Sequence, residues 1–209
     1  IDVLRGAYAQ LGGMFQRQHD HKGRKFYCTL SGGIAQYPGD AQTYESLVKY
    51  ANYALEHAKG HGKKRCVNFS QPILSERTRE LELMELLRDS VENNFKGFSL
   101  CYQPQVEAAT GRVVGAEALA RWRHPERGIV APGEFIPLLE RNGLVRSLDL
   151  RVWEKSAAWV RSLMDQGIRP VPVSVNVSRA DIYLMDVSAE LHALVERYGI
   201  DPSLIEVEI

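Results

Sequence analysis

Glu117-Ala118-Leu119-Ala120-Arg121-Trp122 forms the last six residues of a strand that the sequence predicts over Val113–Trp122. Side chains alternate between the two faces of a strand, so Glu117, Leu119 and Arg121 are expected on one face. A carboxylate can bind a metal ion, and an arginine can bind a phosphate through two nitrogens. An ordinary salt-bridged strand would carry the same pattern, so the hexapeptide alone leaves both interpretations open.

Strands alternate with helices on either side of this segment. A preceding strand is predicted at Phe98–Val106, joined to Val113–Trp122 by a hairpin-like turn at residues 109–112. The elements predicted further along the chain are a helix at Glu134–Arg141, a long helix ending at Gly167, a strand at Val171–Val177, a helix at Ala189–Tyr198 and a strand at Leu204–Ile209. This alternation favours a parallel α/β sheet, open or closed into a barrel with its site at the carboxyl ends of the strands.

The first 70 residues predict a smaller α/β unit. Its predicted elements are a helix-like start at residues 3–15, a strand at Phe26–Ala35, a helix at Tyr44–Lys59 and a strand at Arg65–Phe69. The basic stretch at residues 17–25 is interpreted as a solvated connection. So little sheet does not make a complete domain, so further sequence is expected upstream of Ile1.

A charged helix is predicted between the two α/β parts. Ser75 is the predicted cap of this helix, and apolar residues recur on one stripe among Glu and Arg. Such a helix can couple two domains, and it can equally pack on its own domain.

Composition narrows the function classes. The chain has 209 residues, 44% of them hydrophobic, and a formal net charge of zero, which removes the general electrostatic argument for a nucleic-acid polymer or an anionic membrane as partner. Cys28, Cys66 and Cys101 are widely spaced, and we predict reduced, buried thiols of a cytosolic protein. The first residue is not Met, so a piece of a longer protein is expected.

Three predicted strands each contribute one oxygen-bearing side chain: Glu117, Asn176 and Glu208. Such groups are costly to bury among Val and Ile without partners. Two carboxylates and an amide oxygen suit Mg²⁺ or Mn²⁺ better than zinc or copper. The alternative is that Asn176 caps a strand end while Glu206 and Glu208 face solvent on an edge.

The second part of the chain resembles the EAL domains, a family of cyclic di-GMP phosphodiesterases. The segments that carry the resemblance, in the family's order, are Tyr102-Gln103-Pro104, Glu117-Ala118-Leu119-Ala120-Arg121-Trp122, His124-Pro125, Gly128-Ile129-Val130-Ala131-Pro132, Phe135-Ile136-Pro137, Val175-Asn176-Val177-Ser178 and Glu206-Val207-Glu208-Ile209. The resemblance implies a modified TIM-type barrel and a metal-dependent hydrolysis of cyclic di-GMP to linear pGpG.

Site residues follow from the same resemblance. It implies that Glu117, Asn176 and Glu208 bind the metal, with Glu117 also catalytic, that Arg121 contacts a phosphate, and that Gln103 and Leu119 line the nucleotide pocket. The family's remaining site residues are expected beyond Ile209. The isolated 209-residue chain is therefore expected to be inactive.

The first part of the chain resembles the last third of a GGDEF domain, the diguanylate cyclase family. The segments that carry this resemblance are Phe26–Ala35, Tyr37-Pro38-Gly39-Asp40 and Tyr50–Arg65. It implies that Lys59 and Lys63 contact nucleotide phosphates, with GTP as ligand, although lysines at a helix end also interact favourably with the helix dipole. Asn52 replaces a usual aspartate and Glu56 a common tyrosine.

The two resemblances predict an incomplete TIM-type barrel of EAL type preceded by the C-terminal part of an α/β GGDEF domain. The predicted boundaries are 1–70 for the GGDEF-like part, 71–97 for the linker helix and 98–209 for the N-terminal half of the EAL-like domain.

The leading hypothesis is a phosphodiesterase regulated by its GGDEF domain. The alternatives are an inactive cyclic di-GMP receptor and a bifunctional protein with cyclase activity. Cytoplasmic domains are expected, with any membrane anchor outside this chain, and a homodimer is expected by family analogy.

Overall fold

The computed structural model describes residues 2–15 and 18–209, and Arg17 of the basic stretch lies outside the described residues. The chain divides into two compact units, Ile1–Glu82 and Leu83–Ile209. None of the described helices combines the length and the apolar character that crossing a membrane requires.

The first unit contains two small sheets and three helices. Its elements are α1 (Asp2–Phe15), β1 (Gln18–His21), β2 (Arg24–Tyr27), β3 (Gly32–Ile34), α2 (Tyr44–Gly60), β4 (Cys66–Asn68) and the first half of α3 (Gln71–Glu92). The predicted helices at residues 3–15 and 44–59 and the strand near residues 65–69 are confirmed. Thr43 caps α2 by accepting a hydrogen bond from the Ser46 backbone N–H.

The predicted single strand Phe26–Ala35 is wrong. β2 pairs antiparallel with β1, and β3 pairs parallel with β4. Lys22 and Gly23, with φ of 52° and 76°, form the left-handed pair that joins β1 to β2. Two consecutive left-handed residues suit a two-residue hairpin turn. The described part of the basic stretch is therefore part of a hairpin, and nearly all of it is exposed, as predicted for a solvated connection.

Helix α2 packs directly on β3. A Cβ atom at Gly33 would lie 2.0 Å from the Ala51 carbonyl oxygen and 2.4 Å from the Leu55 backbone nitrogen, so only glycine allows this approach. The small core of this unit centres on Ala54, Phe69 and Ile73.

Helix α3 begins four residues before the predicted cap, Ser75. Pro72 lies in its first turn, where the missing backbone N–H removes no helical hydrogen bond. The Ser70 carbonyl accepts hydrogen bonds from the backbone N–H groups of Ile73 and Leu74, so Ser70 stands at the start of the helix and Ser75 lies inside it. The boundary between the two compact units falls within α3, and the three-part division at residues 70 and 97 stays a prediction.

The second unit is a five-stranded sheet with helices. After the second half of α3, its elements are β5 (Phe98–Val106), β6 (Val113–His124), β7 (Gly128–Val130), α4 (Pro132–Arg141), α5 (Val145–Asp165), β8 (Val173–Asn176), α6 (Arg179–Leu184), α7 (Val187–Tyr198), a 3-10 turn (Pro202–Leu204) and β9 (Ile205–Glu208). The strand order is β5-β6-β8-β9, with β7 also paired to β6. The β6–β8 and β8–β9 pairs are parallel, as predicted, whereas β5 and β7 run antiparallel to β6.

One face of this sheet packs into the main core. Trp122 is 1% exposed, stacks on Phe98 and meets Phe135 edge to face. Val173 and Val175 of β8 are fully buried in the same core. The apolar strand residues therefore contact helices, and the alternate positions of the same strands form the opposite face.

The prediction of three buried thiols is wrong for Cys101. All three cysteines are free, but Cys101 is exposed and Cys28 and Cys66 are half-buried. Cys101 lies on β5 between Leu100 and Tyr102, which pack against the core, so its own side chain belongs to the other face.

Candidate functional site

The side chains of β6, which carries Glu117, Leu119 and Arg121, alternate between the core face of the sheet and the opposite face. Ala116, Ala118 and Trp122 are buried against the core. Glu117, Leu119 and Arg121 are half-buried and alternate with them, so they lie on the opposite face of β6.

Strand register brings the three predicted metal ligands to this face. Glu117 pairs with Ser174 across β6–β8, and Asn176 pairs with Glu208 across β8–β9. Since Asn176 is two residues beyond Ser174, its side chain is on the same face as Glu117. The Asn176 Nδ2 group donates a hydrogen bond to Glu117 Oε1 at 3.2 Å.

A second set of polar side chains surrounds Glu208. Gln105 Nε2 donates to Glu208 Oε1 at 3.3 Å and to Ser174 Oγ at 3.4 Å. Ser174 Oγ donates to Glu206 Oε2 at 3.4 Å. Glu206 is exposed on β9 at the end of the described strand order, as the alternative expected, whereas Glu208 is half-buried.

Sequence reasoning missed Gln105 and Ser174. Gln105 lies two positions after Gln103 on β5, and this spacing was the available signal for a shared face. Gly115 lies opposite Gln105, and a Cβ atom there would come within 2.5 Å of Gln105 Oε1. The glycine therefore provides the space that the Gln105 side chain occupies.

The donor set fits a hard divalent cation. Glu117 and Glu208 supply carboxylate oxygens, and a half-turn of the Asn176 amide would present its oxygen in place of its nitrogen. Oxygen ligands of this kind suit Mg²⁺ or Mn²⁺. Glu117 is half-buried and Asn176 is exposed, so the set is accessible from one side of the sheet.

The predicted substrate contacts lie along the two strands beside this set. Gln103 is exposed and is the register partner of Glu117, and Leu119 is the register partner of Cys101. Arg121 is four residues beyond Glu117, about 13 Å along the strand. Its Nη1 donates to the Ala120 carbonyl at 2.9 Å, so the structure does not bring Arg121 to the Glu117–Asn176 pair.

Helix α5 supports the site from behind. Trp153, 2% exposed, donates from Nε1 to the Asn176 carbonyl oxygen at 3.0 Å. Asp181 accepts hydrogen bonds from the Ser178 backbone N–H and hydroxyl, forming the capping box of α6 just after β8. The backbone of Asn176 is thus held by the core and by the following helix.

A buried carboxyl pair lies beneath this segment. Burial raises the pKa of Asp149 to about 8, and a hydrogen bond with Asp181 and its negative charge act in the same direction against opposing hydrogen bonds from Ser178. If both side chains were ionised, Asp149 Oδ2 and Asp181 Oδ1 would be buried acceptors with no donor among the described residues. A proton retained on Asp149 can satisfy both oxygens.

The two predicted phosphate contacts of the first unit lie at the end of α2. Lys59 Nζ contacts Glu56 Oε1 at 2.8 Å on an exposed surface. Lys63 is exposed beyond the helix end, with a left-handed φ of 53°. Both ammonium groups are accessible, and neither role is tested by the structure.

Comparison with known families accounts for both parts of the chain. The EAL domain model matches residues 64–209, about 70% of the chain, and the model of the diguanylate cyclase GGDEF domain matches residues 5–65. The chain belongs to the EAL family. Its EAL part follows a GGDEF part, and its fold is an incomplete TIM-type barrel of EAL type preceded by the C-terminal part of a GGDEF α/β domain.

Curated relatives of this EAL chain match most of its length. It is 34% identical to the cyclic di-GMP phosphodiesterase NbdA of Pseudomonas aeruginosa over 90% of this chain and 24% of that protein. It is 32% identical to the bifunctional diguanylate cyclase/cyclic di-GMP phosphodiesterase MucR of the same organism, over 85% of this chain and 26% of that protein. The chain thus spans about a quarter of the length of these curated relatives.

A solved structure supports the EAL assignment. The PaMucR phosphodiesterase in complex with c-di-GMP has a TM-score of 0.57 and 30% sequence identity, over 61% of this chain and 51% of that one.

Proposed function

We propose that this chain is part of a divalent-metal-dependent phosphodiesterase that hydrolyses cyclic di-GMP to linear pGpG and is regulated by its GGDEF part. The observation that carries the proposal is the register of β6, β8 and β9, which gathers Glu117, Asn176 and Glu208 on one sheet face. The 34% identity to a cyclic di-GMP phosphodiesterase supports the substrate class.

Glu117, Asn176 and Glu208 would hold Mg²⁺ or Mn²⁺ through oxygen. A cation bound there would polarise the phosphodiester and activate water for in-line attack. The two carboxylates offset the charge of the cation. Gln105 fixes the orientation of the Glu208 carboxylate and Trp153 holds the backbone of Asn176, so the rearrangement that metal binding requires is the half-turn of the Asn176 amide.

Residues along β5 and β6 would bind the substrate. Arg121 would release the Ala120 carbonyl and donate to a phosphate oxygen, offsetting its negative charge. Gln103 and Leu119 would line the nucleotide pocket, with Gln103 directly across from Glu117. Arg121 lies about 13 Å from Glu117 along the strand, so it would contact a part of the dinucleotide that lies away from the metal ligands.

The experiment is substitution of Glu117 in the intact protein. Glu117→Ala should abolish hydrolysis of cyclic di-GMP, followed as formation of pGpG by chromatography, while circular dichroism stays unchanged. Cys101→Ser, an exposed change on the same sheet face, is the matched control and should retain turnover. Retained turnover in the Glu117 variant would overturn its assigned role.

The same experiment separates the enzyme from a receptor. Binding of cyclic di-GMP without turnover by the unsubstituted protein, with metal present, would instead support an inactive receptor. The expectation that the 209-residue chain alone is inactive stays a prediction, tested by assaying that chain beside the intact protein. Cyclase activity, GTP binding at Lys59 and Lys63, dimerisation and a cytoplasmic location stay predictions as well.

A further inference from the structure

Two histidines and a glutamate converge in the first unit, away from every residue assigned above. His57 lies in the last turn of α2 and His61 is the residue that caps its C-terminal end, and their rings stack with centroids 4.0 Å apart. Glu76 reaches them from the first half of α3. Each residue offers one ligand atom, and these three atoms lie within 4.8 Å of one another.

The closest pair already has the spacing of metal ligands. His57 Nε2 lies 3.4 Å from Glu76 Oε2. Two ligands about 2.05 Å from a tetrahedral zinc ion are separated by about 3.35 Å. The third donor atom, on His61, lies within 4.8 Å of the other two, so it must move closer for one metal ion to bind all three.

The hydrogen bonding of the His61 imidazole suits a ligand role. His61 Nδ1 lies 3.0 Å from the His57 carbonyl oxygen. Donation by Nδ1 to this carbonyl leaves the Nε2 lone pair available, which is the arrangement that backbone carbonyls commonly impose on metal-binding histidines. His57 Nδ1 is buried without a partner among the described residues, so this ring lacks the outer hydrogen bond that His61 has, and its contact with the cluster is the approach of Nε2 to Glu76.

We propose that His57, His61 and Glu76 form a binding site for Zn²⁺ or a similar borderline divalent metal. Two imidazole nitrogens and one carboxylate favour zinc over magnesium, and three protein ligands leave a coordination position for water. His61 and Glu76 are exposed, so the metal can enter from solvent. A histidine–glutamate ion pair is the competing explanation, and an exposed pair of this kind contributes little to stability.

The test is a Co²⁺ and Zn²⁺ titration of the 209-residue chain in excess Mg²⁺, which occupies oxygen sites and has little affinity for imidazole. Zn²⁺ should bind with one-to-one stoichiometry, shift the imidazole ¹⁵N resonances of His57 and His61, and raise the melting temperature of the first unit. Co²⁺ should show ligand-field absorption without the intense charge-transfer band of a cysteine thiolate. His61→Gln and Glu76→Gln should each lower the affinity at least about tenfold.

His192→Gln is the matched control. His192 Nδ1 also lies 3.0 Å from a carbonyl oxygen four residues earlier on an exposed helix, but His192 belongs to no metal-ligand group among the described residues. Its substitution should leave zinc binding unchanged. Zinc affinity that is insensitive to both His61→Gln and Glu76→Gln, a thiolate charge-transfer band, or absence of binding would each overturn the proposal.

Discussion

The two units of this chain assemble polar clusters by different means. In the second unit, parallel strand register brings Glu117, Asn176 and Glu208 together, and their backbone is tied to a large core. In the first unit, a spacing of four residues at the C-terminal end of α2 stacks the half-buried His57 ring on the exposed His61 ring. The first arrangement depends on a whole sheet, whereas the second depends on the packing of two helix segments.

The two clusters also differ in the atoms that they offer to a metal ion. The sheet cluster offers oxygen atoms and suits a hard cation, and the helix cluster offers mostly nitrogen and suits zinc. The comparison predicts that ligand type distinguishes the two proposed metal sites. Each prediction below perturbs one unit and leaves the other as its internal reference.

The largest expected effect is on the packing of α2. Gly33→Ala would place a Cβ atom 2.0 Å from the Ala51 carbonyl oxygen, so α2 must move away from β3. We expect a loss of about 3–4 kcal/mol in the stability of the first unit and loss of zinc binding there. Amide hydrogen exchange measured separately for α2 and α5 checks this, with faster exchange confined to the first unit.

Gly39→Ala is the control for this prediction. A Cβ atom at Gly39 has no neighbour within 4 Å among the described residues, so little change is expected. Equal destabilisation by the two substitutions would contradict the role given to the Gly33 contact.

The second largest effect is the pH dependence of the free energy of unfolding of the second unit. The raised pKa of Asp149, about 8, means that the folded state keeps a proton that the unfolded state releases near its ordinary value. The unfolded state then binds fewer protons, so stability falls as pH rises between these values. We expect a decrease on the order of 2–3 kcal/mol from about pH 5.5 to about pH 8, measured by urea unfolding.

Substitutions of Asp149 and Asp181 test whether this carboxyl pair causes the pH dependence. Asp149→Asn removes the titrating group, so the corresponding loss of stability should disappear. Asp181→Asn removes only the neighbouring charge and should reduce it, since the burial of Asp149 remains. A pH profile identical in all three proteins would exclude the carboxyl pair as its source.

Substitution of Gln105 is expected to have a smaller effect, on the affinity for Mg²⁺. Gln105→Ala removes the donor to Glu208 Oε1 and leaves the main-chain register intact. The intact protein should bind Mg²⁺ about fivefold more weakly, since one hydrogen bond to a charged group is lost. Isothermal titration in the presence of Zn²⁺ measures this, and unchanged Mg²⁺ affinity would show that Gln105 does not orient Glu208.

The smallest effect is expected at Lys59. Lys59→Ala removes an exposed contact with Glu56, so the stability of the first unit should change by less than about 0.5 kcal/mol. Zinc binding should be retained, because the Lys59 ammonium group is not a ligand. A loss larger than 1 kcal/mol in thermal unfolding would show that the lysine has a structural role.

Sequence patterns predicted the strands that form the site. The alternation in Phe98–Val106 and Val113–Trp122 and the apolar run near Val173–Asn176 correspond to β5, β6 and β8. Short elements were missed: β7 has three residues, β1 has four and α6 has six. Periodicity cannot be read from so few positions, and a capping box, not an apolar stripe, marks the start of α6.

The sequence by itself determined the alternation that separates Glu117 from Trp122 and the family to which the chain belongs, because both depend on the order of residues alone. Tertiary structure decided which residues of distant segments meet. Gln105 reaches Glu208 across 103 positions of sequence, and His57 meets Glu76 across two helices. Such contacts depend on strand register and helix packing, which no local pattern records.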